Sequence, residues 1–208
     1  MSEPVVIPGT RDVRGSLDAP DESESVTDPA GCVVACPPHP QLGGSRSDRR
    51  VTAIADALVD RGVACLRIDY GLWDEGTGER RDAVTALEWA AERYGRVGLF
   101  GYSFGGTIAL LVGAEQDACR VIAALAPAPD LPDGSDSTAS FERSDAPTLV
   151  VCGERDETVE CERVASAATA AGQSVVRVPS DHHFVGQNDT IADAIAPFLA
   201  DHLGSSTS

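Results

Sequence analysis

Lysine is absent from this sequence: all 16 basic residues are arginine, and they face 33 acidic ones for a formal net charge of −17. A surface of that sign repels nucleic-acid phosphates and anionic membranes, so no nucleic-acid or membrane partner is expected. The missing lysine also excludes a nucleotide-binding P-loop. Residues 101–106 have the glycine spacing of one, but Thr107 stands where its Lys belongs. A dinucleotide-binding G-x-G-x-x-G is missing too, because Gly76-Thr77-Gly78 is followed by Arg81 at the third glycine position. Aromatic residues make up only 5% of the chain and there is one Met, so the core is left to Ala, Val, Leu and Ile. No apolar run approaches the length of a membrane span. Met1-Ser2-Glu3-Pro4 lacks the basic start and apolar stretch of a signal peptide, which gives the expectation of a cytoplasmic protein. Among six cysteines, Cys32, Cys36, Cys65, Cys119 and Cys152 lie in apolar runs, where Cys serves as a small buried hydrophobe. Their spacings contain no C-x-x-C and no Cys/His framework, so neither a disulfide nor a metal site is expected.

What is present suits one domain over residues 1–208. Residues 5–28 are polar and Pro/Gly-rich and end in the acidic run Asp21-Glu22-Ser23-Glu24, which reads as edge strands joined by a turn within 1–30. From Gly31 onward, apolar runs of strand length alternate with helical periodicity, the pattern of crossover units and a mostly parallel sheet. Strands are predicted at 31–36, 63–69, 97–102, 121–126, 148–152 and 174–178. Helices are predicted at 48–60, 79–93, 104–114, 159–171 and 190–202, with a frayed tail at 204–208. The stretch 127–147 is too short and polar for a large helical cap, leaving an open site with at most a residue such as Phe141 across its entrance.

Gly101-Tyr102-Ser103-Phe104-Gly105 matches G-x-S-x-G between a predicted strand and a predicted helix. In so sharp a turn the Ser103 hydroxyl is exposed at the positive end of the helix, where developing negative charge is stabilised. A serine hydroxyl is a poor nucleophile without a base, and the base needs an acid to orient it. His202 falls in the last helix and His39 precedes the nucleophile, which leaves His182 and His183 as candidate bases in the loop after strand 174–178. Asp156, in Gly153-Glu154-Arg155-Asp156 after strand 148–152, gives the chain order Ser, Asp, His; Asp130 is the second candidate acid. Oxyanion donors are expected at the Phe104 N–H and, from the loop Cys36-Pro37-Pro38-His39-Pro40-Gln41-Leu42-Gly43-Gly44, at the Gln41 N–H, because Pro40 cannot donate.

At these residues the chain resembles the small dienelactone-hydrolase-like serine hydrolases of the α/β-hydrolase superfamily, which carry an HPHP-x-x-GG loop, a G-x-S-x-G elbow and a late D-H-F-F-x-G. The resemblance runs from about Cys32 to Leu199. Asp181-His182-His183-Phe184-Val185-Gly186 aligns with the late motif and makes His182 the base. Two positions depart from the pattern: Pro37 replaces the first His of the loop, and Ser103 stands where dienelactone hydrolase itself has Cys. The resemblance implies a three-layer α/β-hydrolase fold with little or no cap. It also implies hydrolysis of a carboxylic ester or related small acyl substrate without a cofactor. Peptidase, thioesterase and acyltransferase activities use the same three residues, and a silent binding protein of this fold is the alternative outside enzymes. A homodimer is compatible with this reading.

The composition also resembles that of proteins from salt-accumulating halophiles, whose self-repulsion is relieved when salt screens it. The thermal unfolding midpoint is therefore expected to rise from low salt to molar KCl. A midpoint indifferent to KCl would attribute the arginine and acid bias to genome composition.

Overall fold

The computed structural model describes residues 2–20 and 29–204. The acidic run Asp21-Glu22-Ser23-Glu24 and the last four residues of the expected tail lie outside them. Eight strands form one sheet: β1 (Ser2–Ile7), β2 (Val13–Asp18), β3 (Cys32–Cys36), β4 (Ala64–Asp69), β5 (Val97–Tyr102), β6 (Cys119–Leu125), β7 (Thr148–Gly153) and β8 (Ser174–Val178). Their spatial order is β1-β2-β4-β3-β5-β6-β7-β8. The β1–β2 hairpin joins β4 antiparallel, and every other pairing is parallel. This is the expected mostly parallel sheet with an antiparallel N-terminal edge.

Five longer helices cover the two faces: α1 (Arg49–Val59), α2 (Thr77–Tyr94), α3 (Phe104–Gly113), α5 (Cys161–Ala170) and α6 (Asn188–Gly204). A single turn, α4 (Ser140–Arg143), and a 3-10 turn at Pro40–Leu42 interrupt segments that the sequence pattern leaves as loops. The strands alternate their side chains between two cores. Val34, Leu66, Leu99 and Val150 face α2, α3 and α5, while Val33, Cys65, Phe100 and Val151 face α1 and α6. Helix α1 shows the local logic. Asp48 caps it by accepting the Arg50 N–H at 2.9 Å, and Val51, Ile54, Ala55 and Leu58 recur at helical spacing to form its buried stripe.

Phe141 is buried in α4 within the α2/α3/α5 core rather than laid across the site entrance. Its aromatic surface is worth more in that core than in water. Among the described residues, no helix is long and apolar enough to cross a membrane.

The cysteines depart from expectation. Cys152, at the end of β7, and Cys161, the first residue of α5, form a disulfide, with Cα atoms 5.9 Å apart and a sequence separation of 9. The other four are free and buried. A short-range motif search misses such a pair, because the strand and the helix bring the two together across the intervening loop. Before reduction, the denatured protein should titrate four thiols with Ellman's reagent, and after reduction six; six at the outset would show that the bridge does not form. Closing a loop of this length is worth about 2.5 kcal/mol on the chain-entropy model, so Cys161→Ser should lower the urea unfolding free energy by about that much.

Candidate active site

The carboxyl ends of β3, β5, β7 and the loop after β8 meet at one edge of the sheet, the place where open α/β sheets bind ligands. Ser103 follows β5 directly. Its backbone has φ 56° and ψ −121°, outside the regions comfortable for a residue with a side chain, and the turn is held by Ser103 N–H to Leu125 O at 2.8 Å and Gly106 N–H to Ser103 O at 2.8 Å. The turn closes because two neighbours lack side chains. A Cβ on Gly101 would sit 1.9 Å from the Gly105 carbonyl oxygen, and one on Gly105 would sit 2.2 Å from Cys36 O and 2.4 Å from Pro37 O.

Ser103 Oγ lies 3.0 Å from His182 Nε2, and His182 Nδ1 lies 2.7 Å from Asp156 Oδ2. Asp156 Oδ1 accepts the N–H groups of Thr158 at 2.9 Å and Val159 at 3.2 Å, so the carboxylate is fixed from behind and offers its other oxygen to the imidazole. The Asp156 side chain is 2% exposed and that of His182 is 7% exposed. A hydroxyl, an imidazole and a carboxylate in this line can pass a proton from oxygen to nitrogen while the carboxylate balances the new charge. His183 is exposed and lines the cleft, its ring 5.6 Å from that of His182, but it bonds to neither Ser103 nor Asp156. Asp130 lines the same cleft but is half-exposed and bonds to Arg163 Nη1 at 2.8 Å rather than to the histidine.

Gln41 is a correction. Its N–H is donated to His39 Nδ1 at 3.3 Å within the 3-10 turn, and it is exposed and lies outside the cleft lining. His39 caps the turn it begins, and so consumes the donor that the loop order alone assigns to the site. Burial lowers the His39 pKa, against a smaller raising effect from Glu79, which favours the neutral ring able to accept that N–H.

The cleft over Ser103 encloses about 540 Å³. The His39 and Phe104 rings line one wall, 5.1 Å apart, and Trp73 packs against both, 4.4 Å from His39 and 5.5 Å from Phe104. The opposite wall carries Asp48, Arg50 and Tyr102. The pKa of Arg50 is raised chiefly by its hydrogen bond to Asp48, and that of Tyr102 is pushed up to about 12 by burial. Sequence reasoning missed Trp73, Arg50 and Tyr102. Trp73 lies just beyond the carboxyl end of β4, which is the signal that could have found it; Tyr102 occupies the free position of the elbow motif, where any residue satisfies the pattern. Among the described residues, no group of three or more His, Cys, Asp or Glu could hold a metal ion.

The family model for the X-Pro dipeptidyl-peptidase (S15) family matches residues 46–158, more than half of the chain. The chain belongs to that family. The match takes in Ser103 and Asp156 and stops short of His182. A comparison with curated protein sequences gives no match. Among solved structures, an α/β serine hydrolase homologue from Coxiella burnetii is 25% identical, with a TM-score of 0.79 over 94% of this chain and 96% of that one. An α/β serine hydrolase without lid from Xanthomonas campestris is 23% identical, with a TM-score of 0.81 over 99% and 96%. The dienelactone hydrolase from Anabaena variabilis is 22% identical, with a TM-score of 0.77 over 97% and 98%. This S15-family chain therefore has the α/β-hydrolase fold, as the motif resemblance implies.

The elbow sets a strict test of the local geometry. Gly105→Ala should destabilise the protein by about 3 kcal/mol or more in urea unfolding, since its Cβ meets backbone that cannot rotate away. Wild-type stability in that variant would mean that β3 and the elbow do not approach this closely.

Proposed function

We propose that this chain is a serine hydrolase that cleaves a carboxylic ester or related small acyl substrate through an acyl-enzyme on Ser103. The observation that carries this reading is the line Ser103 Oγ, His182 Nε2 at 3.0 Å and His182 Nδ1, Asp156 Oδ2 at 2.7 Å. In the first step Ser103 Oγ attacks the acyl carbon while His182 takes the hydroxyl proton. The tetrahedral intermediate collapses as His182 returns that proton to the leaving alcohol. Water then repeats the sequence on the acyl-enzyme and releases the acid. Asp156 holds the imidazole in the tautomer that accepts at Nε2 and stabilises the imidazolium.

The oxyanion receives the Phe104 N–H at the start of α3 and, in this reading, the His39 N–H. Of residues 37–40 only His39 has a main-chain N–H, and it lines the cleft beside Ser103. The His39 and Phe104 rings that line the cleft give an apolar acyl or alkoxy group a surface to cover, and Trp73 packs against both rings.

Peptide cleavage uses the same steps with an amine as leaving group, and membership of the X-Pro dipeptidyl-peptidase family makes an X-Pro-amide the second substrate class to test. A fluorophosphonate probe should form a stoichiometric adduct on Ser103, located by peptide mass spectrometry in molar KCl. Ser103→Ala should abolish the adduct, and His182→Ala and Asp156→Asn should slow turnover of short-chain aryl esters by about 10³-fold or more. Demonstrably folded protein that gives no adduct would replace this reading with that of a binding protein.

A further inference from the structure

The base is carried by residues 179–187, between the edge strand β8 and α6. Side chains in this loop alternate: Asp181, His183 and Val185 are exposed, whereas His182 and Phe184 are buried. Asp156 and Ser103 hold the two nitrogens of the His182 ring. The ring stays in line only if the backbone beneath it is also fixed, and main-chain carbonyls outside the sheet need donors of their own. Two such carbonyls, in consecutive residues, receive side-chain donors from other elements. Tyr102 Oη–H donates to His182 O at 3.0 Å, and Arg50 Nη1 donates to His183 O at 2.8 Å.

The two donors are themselves coupled. The Arg50 guanidinium lies over the Tyr102 ring, 4.4 Å from its centroid, and its other edge is held by both carboxylate oxygens of Asp48, the cap of α1. Tyr102 is adjacent to Ser103 in sequence and ends β5, so the bond to His182 O ties the base to the strand that sets the nucleophile.

We propose that Tyr102 and Arg50 are positioning residues of the hydrolase: together they clamp the His182 and His183 carbonyls and thereby hold the His182 imidazole between Ser103 and Asp156. This rests on the reading of Ser103 and His182 given above. Neither side chain touches the reacting atoms. Both line the cleft, but the Tyr102 hydroxyl and Arg50 Nη1 are spent on the loop carbonyls, so the clamp is read in the limiting rate rather than in probe binding.

The test is the rate of Ser103 modification by a fluorophosphonate probe, followed by mass spectrometry as a function of probe concentration. Tyr102→Phe keeps the ring under Arg50 and removes only the hydroxyl. It should lower the limiting inactivation rate about tenfold and leave the half-saturating probe concentration within about twofold, as a displaced base but an intact cleft requires. Arg50→Ala provides a second probe of the same clamp and should slow inactivation several-fold.

In a His182→Ala background, which itself labels far more slowly, Tyr102→Phe should cost nothing further, because the hydroxyl acts only through the missing imidazole. The clamp is overturned if both single variants label at the wild-type rate while His182→Ala is slow, or if the Tyr102→Phe loss persists undiminished without the imidazole. A His182→Ala variant that labels at the wild-type rate would instead remove the hydrolase reading on which the clamp rests.

Discussion

The site depends on a contact between backbones that leaves no room for a side chain. The elbow after β5 approaches the end of β3 so closely that the Gly105 Cα lies against the carbonyls of Cys36 and Pro37. That approach fixes where α3 starts and how Ser103 projects. It also brings the Pro-rich loop after β3, with His39, to the side of the cleft where an oxyanion would form. The parallel sheet makes the contact available, because β3 and β5 are neighbours running the same way and their following loops emerge together. Serine strain, helix placement and the aromatic wall are consequences of one close packing of main chain on main chain.

Charge is organised very differently inside and outside. The chain carries a large acidic excess, yet arginines join distant segments through specific carboxylates. Arg11, in the turn of the N-terminal hairpin, reaches Asp82 on α2 at 2.9 Å, and the same carboxylate accepts the Gly71 N–H at 2.9 Å. Glu79 accepts the N–H groups of Asp74 and Gly76, each at 2.9 Å, and so closes the start of α2. Both acids are buried, and between them they shape the loop that sets Trp73 against the His39 ring. Arginine suits this work because its planar fork engages a carboxylate and a carbonyl at once, which a lysine ammonium does as a single point. Arg50, shared between Asp48 and the His183 carbonyl, uses the same geometry at the site.

Much of this was legible in the sequence because it rests on periodicity and on glycine. The parallel strands and the five longer helices appear within a few residues of where apolar patterning puts them, and Ser103, Asp156 and His182 follow from a motif, a strand end and the chain order. Between His182 and His183 the sequence offers only alignment to a motif, whereas in the fold alternate residues of the loop are buried and it is the His182 ring that lies against Ser103 and Asp156. Gln41 was misjudged for a local reason: a histidine ring accepts a hydrogen bond two residues ahead, and strand-and-loop order says nothing about such a turn. The Cys152 to Cys161 bridge and the Tyr102 contact are out of reach for another reason. Each depends on a partner supplied by tertiary packing, with no local pattern to announce it.

The disulfide gives Asp156 and His182 unequal mechanical footing. Asp156 sits inside a ring closed covalently between a core strand and a buried helix end, so it can be displaced only when that part of the core opens. His182 sits on a loop at the sheet edge, held to its neighbours by hydrogen bonds and by the packing of Phe184. Local opening begins where the attachments are fewest and closest to solvent. Of the three side chains in the Ser103, His182 and Asp156 line, the one on the edge loop is therefore where local opening would first break the line, with the sheet beneath it still paired.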